Sequence, residues 1–199
     1  MKKILMFGGT FNPVHNGHVR LCRTLAERIG ADLTVIIPTY SPVHKKTGDE
    51  LEPSADRLAM CRLAFDGERE TVSDLEIAKG RPCYSYETLE ELQKEYPDAE
   101  LYMACGSDML LSLHTWRKPE RIYELATVCA MSRGDDFSVL ADYVEQFSKK
   151  GLRAVIVDVP PIELSSTELR KKLEKGENIE DDVPKKVADY IRERGLYSC

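Results

Sequence analysis

One tryptophan stands among 199 residues, and no apolar run approaches the ~20 residues of a membrane span. The opening "MKKILMFGGTF" has two lysines and an apolar stretch. That stretch, Ile4 to Phe7, is far shorter than the ~7–15 residues of a signal-peptide core, so it reads as a first strand. Positive charge is also in short supply. Lys and Arg number 28 against 34 Asp and Glu, a net charge of -6. That argues against a nucleic-acid polymer as partner, which needs a basic face. A small anionic ligand needs only a local positive site and stays open. The six cysteines (Cys22, Cys61, Cys83, Cys105, Cys129 and Cys199) form no C-x-x-C pair. Scattered this way, they suggest free thiols in a reducing cytoplasm rather than a zinc site. Repeats, low-complexity linkers and composition breaks are all lacking. One domain over 1–199, with a C-terminal helical part at about 165–199, is the expectation.

What is present is a regular alternation. "KILMF" and "DLTVIIPT" are short apolar runs. Between them "HVRLCRTLAERIG" puts Val19, Cys22, Leu25, Ala26 and Ile29 on one face and stops at Gly30. Strand, helix, strand over about 35 residues is a βαβ unit. Further on, "SADRLAMCRLAFDG" reads as a helix, "TVSDLEI" as a strand, "SYETLEELQKEYP" as a helix and "ELYMACG" as a strand. "SDMLLSLHTWRKPERIYELA" is helical but broken at Pro119. "ATVCAMSRG" and "RAVIVDV" are strands around the helix "SVLADYVEQFSKKG". "SSTELRKKLEKG" and "VPKKVADYIRERGLY" are two closing helices. The order predicts an α/β fold: a doubly wound, Rossmann-like parallel sheet of five to six strands, helices on both faces, and a C-terminal helical segment. Ligands in such folds sit past the carboxyl ends of strands, so each motif is tested by whether it follows one.

"GGTFNPVHNGH" passes that test. Gly8 and Gly9 follow the first strand, where glycine allows close backbone approach and positive φ. A helix starting near Asn16 turns its first N–H groups toward the loop and favours an anion. His15 and His18 are three apart, which places both imidazoles on one side of a first turn. Two N–H donors there suit phosphate oxygens and charge growing on a transferred phosphoryl group. The same spacing suits a metal, yet no third ligand is apparent. A plain tight turn also stays open. The loop is neither the G-x-G-x-x-G of dinucleotide folds nor a P-loop.

The stretch resembles the (H/T)xGH signature of the nucleotidyltransferase superfamily, with His15 and His18 at its two histidine positions. It is similar to the loop of nicotinate-nucleotide adenylyltransferases, the bacterial enzymes of NAD synthesis. Asn12 departs, standing where those enzymes usually carry Asp; some related nicotinamide-nucleotide enzymes have Asn there. Other segments resemble the same family in order along nearly the whole chain. "PTYSPVHKK" carries Pro42, His44 and Lys45, and "SADRLAMCRLAF" resembles a Ser-x-x-Arg-Leu helix. "GRPCYSYETL" has Ser85 where the family has Thr. "MACGSDMLLSLHTWRKPERI" resembles a Gly-x-Asp block followed by Trp, and "LSSTELR" an Ile-Ser-Ser-Thr-x-x-Arg motif.

The resemblance implies transfer of the adenylyl group of ATP to nicotinate mononucleotide. His15, His18, Lys45 and Arg170 would be catalytic. Gly8, Gly9, Thr10, Phe11, His18, Gly106, Asp108, Arg133, Ser166, Thr167 and Arg170 would contact ATP. Asn12, His44, Lys45, Ser85, Trp116 and Arg117 would contact the mononucleotide, with Trp116 stacked on its pyridine ring. Mg²⁺ would ride mainly on ATP phosphates, with no protein metal ligands. Each role has a plainer rival on sequence alone. Ser165 and Glu168 form a helix capping box, Asp108 is a helix-start residue, Trp116 suits a core, and the His44–Lys45 loop suits solvent. At the level of function, a nicotinamide mononucleotide, pantetheine phosphate or cytidylyl enzyme and a nucleotide-binding regulator without chemistry stay open. The expected partners are small molecules, with no nucleic acid polymer and no membrane. A homo-oligomer is left open.

Overall fold

A computed structural model describes residues 1–42, 51–132, 137–159 and 164–197. Its six strands lie in one sheet in the order β3-β2-β1-β4-β5-β6. They are β1 (Lys3–Gly9), β2 (Leu33–Pro38), β3 (Glu70–Val72), β4 (Glu100–Gly106), β5 (Ala126–Ser132) and β6 (Ala154–Asp158). β1, β4, β5 and β6 run parallel, with Lys3 level with Glu100 and Leu101 with Ala126. The chain winds outward from β1 to β3, then returns to build from β4 to β6. The winding therefore reverses between β1 and β4, the crevice where such sheets bind ligands.

Nine helices are described: α1 (Asn16–Ile29), α2 (Ser54–Ala64), α3 (Leu75–Ala78), α4 (Ser85–Glu95), α5 (Ser107–Ser112), α6 (Pro119–Leu125), α7 (Phe137–Ser148), α8 (Ser166–Glu174) and α9 (Lys185–Arg194). One expected strand is shorter than its sequence pattern. "TVSDLEI" gives β3 and then one turn of helix, α3. The main-chain N–H of Ser73 still reaches Ile36 at 2.9 Å, but the chain then turns. The Ser73 hydroxyl accepts from the Leu75 N–H, and the Ala78 N–H closes on the Asp74 carbonyl at 2.7 Å. A short polar side chain that bonds nearby backbone offers an alternative to the ladder, and here the Ser73 hydroxyl starts the turn that ends it. The break at Pro119 is present, with a 3-10 turn over Leu113–Thr115 between α5 and α6.

The chain divides into two compact units. The first comprises Met1–Phe7, Arg23–Val35 and Tyr84–Pro161. Its interior is apolar: Leu5, Leu25, Leu89, Leu92, Leu110, Ile122 and Val128 are buried from water. β4 and β5 are near-continuous apolar runs because both faces of a parallel sheet are covered.

The second unit comprises Gly8–Cys22, Ile36–Cys83 and Ile162–Cys199. Here α9 packs along α2. Tyr190 donates to Asp56 at 2.8 Å, and Lys186 pairs with Asp66 at 3.0 Å. α9 ends in a Schellman turn. The N–H of Gly195 (φ 61°) bonds the Arg192 carbonyl, and the N–H of Leu196 bonds that of Ile191. No helix among the described residues is long and apolar enough to cross a membrane. The described cysteines Cys22, Cys61, Cys83, Cys105 and Cys129 are buried and in no disulfide.

Candidate active site

The loop from Gly8 to His18 carries one feature the sequence misplaces. Positive φ belongs to Phe11 (φ 50°), and neither Gly8 nor Gly9 adopts it. Gly9 is needed for a different reason. A Cβ there would sit 2.8 Å from the Phe11 ring. That ring, 2% exposed, packs edge-on against His18 and Phe65, so it serves as the floor of the loop.

α1 starts at Asn16, and the two imidazoles meet at its first turn. Their centroids are 3.7 Å apart with 31° between the planes. The main-chain N–H of His18 lies 3.3 Å from His15 Nδ1, and that of His15 lies 3.3 Å from His18 Nδ1. A backbone N–H can only donate, so both Nδ1 atoms accept. A neutral ring held this way carries its proton on Nε2 and can donate from there. Burial pushes the His15 pKa down from 6.5 to about 4, against an opposing pull from Asp182. His15 is therefore neutral at pH 7 and acts as a hydrogen-bond donor rather than a cation.

α8 closes on the same loop. Ser165 caps it, accepting from the Glu168 N–H and donating to the Glu168 carboxylate at 2.8 Å. The capping role and the site role coexist, because the next residues reach the loop. Ser166 donates to the Pro13 carbonyl at 2.9 Å, and Arg170 Nη1 donates to the Asn12 carbonyl at 2.9 Å. Arg170 Nη2 lies 3.4 Å from the Thr167 hydroxyl. Asn16 is held by the carbonyls of Asp181 and Asp182. Thr10, Asn12, His15, His18, Ser166, Thr167 and Arg170 thus share one unit.

A second group lies in the other unit: Ser85, Gly106, Asp108, Trp116 and Arg117. Gly106 ends β4, and a Cβ there would meet Asp108 Oδ1 at 2.9 Å. The carboxylate therefore folds back over the glycine at the strand's end. Ser85 opens α4, and its neighbours Tyr84 and Tyr86 stack at 6.2 Å. Arg117 lies over the Tyr84 ring at 5.9 Å, and Lys118 over Tyr86 at 4.5 Å. Trp116 is half-buried beside them in sequence, after the 3-10 turn. His44, Lys45 and Arg133 lie outside the described residues.

Sequence reasoning missed Tyr84 and Tyr86 as a cationic–aromatic shelf, and it matched Arg57 to a helix motif without giving it a role. Arg57 is 1% exposed and spends its fork on the carbonyls of Glu52, Thr10 and Tyr40. An arginine on the buried side of a helix was the available signal. Among the described residues, no group of three or more His, Cys, Asp or Glu is placed to hold a metal.

A paired-imidazole loop after the first strand of a doubly wound sheet defines a class. The chain belongs to the cytidylyltransferase-like family, whose model matches residues 6–172. It is 38% identical over 202 residues to the "Probable nicotinate-nucleotide adenylyltransferase" of Neisseria meningitidis serogroup B, covering 99% of each chain. It is 34% identical over 200 residues to the protein of that name from Clostridium tetani, covering 99% of this chain and 100% of the other. Among solved structures, the Plasmodium falciparum nicotinic acid mononucleotide adenylyltransferase complexed with NaAD superposes with a TM-score of 0.76. It is 20% identical, with 99% of this chain and 98% of that one covered, which bears on the fold alone.

Proposed function

We propose that this protein transfers the adenylyl group of ATP to nicotinate mononucleotide, releasing pyrophosphate and forming nicotinate adenine dinucleotide. The observation that carries the reading is the imidazole pair, 3.7 Å apart at the start of α1, with both Nδ1 atoms accepting from main-chain N–H groups. A phosphate oxygen of the mononucleotide attacks the α-phosphorus of ATP in line. The bond from that phosphorus to the bridging oxygen breaks, and pyrophosphate leaves with its electrons. The nucleophile is the substrate's own phosphate, so no side chain need become covalent. The protein's share is positioning and charge stabilisation. His15 and His18 donate to oxygens on the reacting phosphorus, and Arg170 with Ser166 and Thr167 takes the departing β and γ phosphates. Lys45 and Arg133 are assigned to phosphate contacts on their motifs alone.

Asp108 suits the ATP ribose hydroxyls, and Gly8, Gly9, Thr10 and Phe11 shape the loop around ATP. Asn12, His44, Ser85, Trp116 and Arg117 are the proposed mononucleotide contacts, with Trp116 against the pyridine ring. Mg²⁺ would be carried by the triphosphate and water, adding positive charge at the phosphates. Its supply, and that of ATP, fits a cytoplasmic enzyme acting as a single domain. The test is pyrophosphate release from ATP with nicotinate and nicotinamide mononucleotides side by side. Fast release with the acid form is expected. Comparable release with the amide would make the enzyme dual in specificity, and none with either would end the reading.

A further inference from the structure

Asn12 is gripped from every side by groups far away in sequence. Its main-chain carbonyl accepts from Arg170. Its side-chain Oδ1 accepts from the Tyr197 hydroxyl at 2.9 Å and from the Glu52 N–H at 3.2 Å. The Tyr197 N–H in turn donates to Glu52 Oε1 at 2.8 Å. These contacts close a ring through Asn12, Glu52 and Tyr197. Arg57 sits under the same ring, fastening Glu52 and Thr10 by their carbonyls.

The ring fixes which end of the Asn12 amide points where. A backbone N–H cannot accept, so the atom facing Glu52 must be the oxygen. The Tyr197 hydroxyl meets that same oxygen and must donate to it. Burial first, and then Glu52, raises the Tyr197 pKa, so the donor keeps its proton through alkaline pH. The backbone at Tyr197 is itself held out of the ordinary range, at φ 61°. A non-glycine residue keeps such a conformation only where its surroundings impose it. The Schellman turn at Gly195 delivers the chain to this place.

We propose that Tyr197 is a positioning residue of the active site, holding the Asn12 amide in the one orientation that receives the mononucleotide. The substrate part rests on the function proposed above, and the positioning part does not. Tyr190 supplies the control. It is another tyrosine of the same unit, and its hydroxyl donates to Asp56 instead.

The experiment compares Tyr197→Phe with Tyr190→Phe in two assays on the full chain. Amide hydrogen exchange reads the loop without any substrate. Tyr197→Phe should speed exchange in the peptide spanning 8–18 at least threefold and leave the 85–105 region unchanged. Tyr190→Phe should leave the 8–18 peptide unchanged. Steady-state kinetics then reads the substrate. Tyr197→Phe should raise KM for nicotinate mononucleotide about fivefold, the size of one neutral hydrogen bond, with KM for ATP within twofold. On an Asn12→Ala background the same change should do nothing further, because its effect runs through Asn12. Unchanged exchange at 8–18 would overturn the positioning role. Equal shifts in both KM values, or additive effects with Asn12→Ala, would overturn the link to the mononucleotide. A wild-type enzyme that ignores nicotinate mononucleotide would sink the function instead, and exchange would still decide the positioning.

Discussion

The two units are built by different means. The one holding β4, β5 and β6 is organised by strand ladders and an apolar interior, and its described buried polar residues are Thr34, Thr88, Thr127 and Ser132, none of them charged. The one holding the histidine loop is organised by polar ties. Asn12, His15, Asp56 and Arg57 are all buried in it, and each has named partners. Apolar packing tolerates small shifts, because it is non-directional. A hydrogen-bonded network does not, because distance and angle both matter. On the proposed function, two imidazole N–H groups donate to oxygens on one phosphorus, a task that gains from the second kind of construction. A shelf for a flat ring can be made with the first.

That contrast can be broken in four places. His18→Ala should lower kcat by about 10²–10³, the loss typical of one oxyanion donor. Its Tm should fall by only a few degrees, and an unchanged rate in a folded protein would remove the loop from the chemistry. Arg57→Met should be the most damaging to stability. It strands the carbonyls of Thr10, Tyr40 and Glu52, at a cost of about 3 kcal/mol or more. Thermal unfolding checks this, and a loss under about 1 kcal/mol would show that the polar network is not what holds the second unit.

Trp116→Ala comes next. It should raise KM for the mononucleotide about tenfold and KM for ATP less than twofold, and equal rises would argue against ring stacking. The smallest effect concerns acid. His15 has a folded pKa of about 4, below the ordinary 6.5, because of burial. The folded chain therefore binds this proton less readily than the unfolded chain does. The stability it contributes is full above about pH 6.5 and is lost as pH falls toward 4. His15→Asn should flatten the decline in Tm between pH 7 and pH 5. Parallel declines in the two proteins would assign the acid sensitivity to other groups.

Much of this was legible in the sequence because it is local. The βαβ alternation, the break at Pro119, the stop at Gly30 and the start of α1 at Asn16 all follow from residues within a few positions of each other. So does the meeting of His15 with His18, since a helical turn dictates it. The misreadings were of two kinds. At Ser73 and Asp74, a side-chain bond from the Leu75 N–H to the Ser73 hydroxyl and a main-chain turn closed on the Asp74 carbonyl overrode an apolar strand pattern. At Gly9, the sequence suggested conformational freedom where the requirement was room for the Phe11 ring. The Asn12 ring was beyond reach, since no periodicity links residues 12, 52 and 197. Only the fold brings a hydroxyl and an amide together across 185 positions.

That separation sets an order of events in the cell. A chain leaves the ribosome from its first residue onward, at about 5–20 residues per second. Asn12 emerges first, and Arg170 and Tyr197, which bond its carbonyl and its side-chain oxygen, follow 158 and 185 positions later. Until they emerge, the loop has its ties to Glu52 and Arg57 but lacks those to Arg170 and Tyr197. A nascent chain can therefore assemble strands before the Asn12 loop gains these two ties, and the second forms only when the tyrosine beyond α9 has docked.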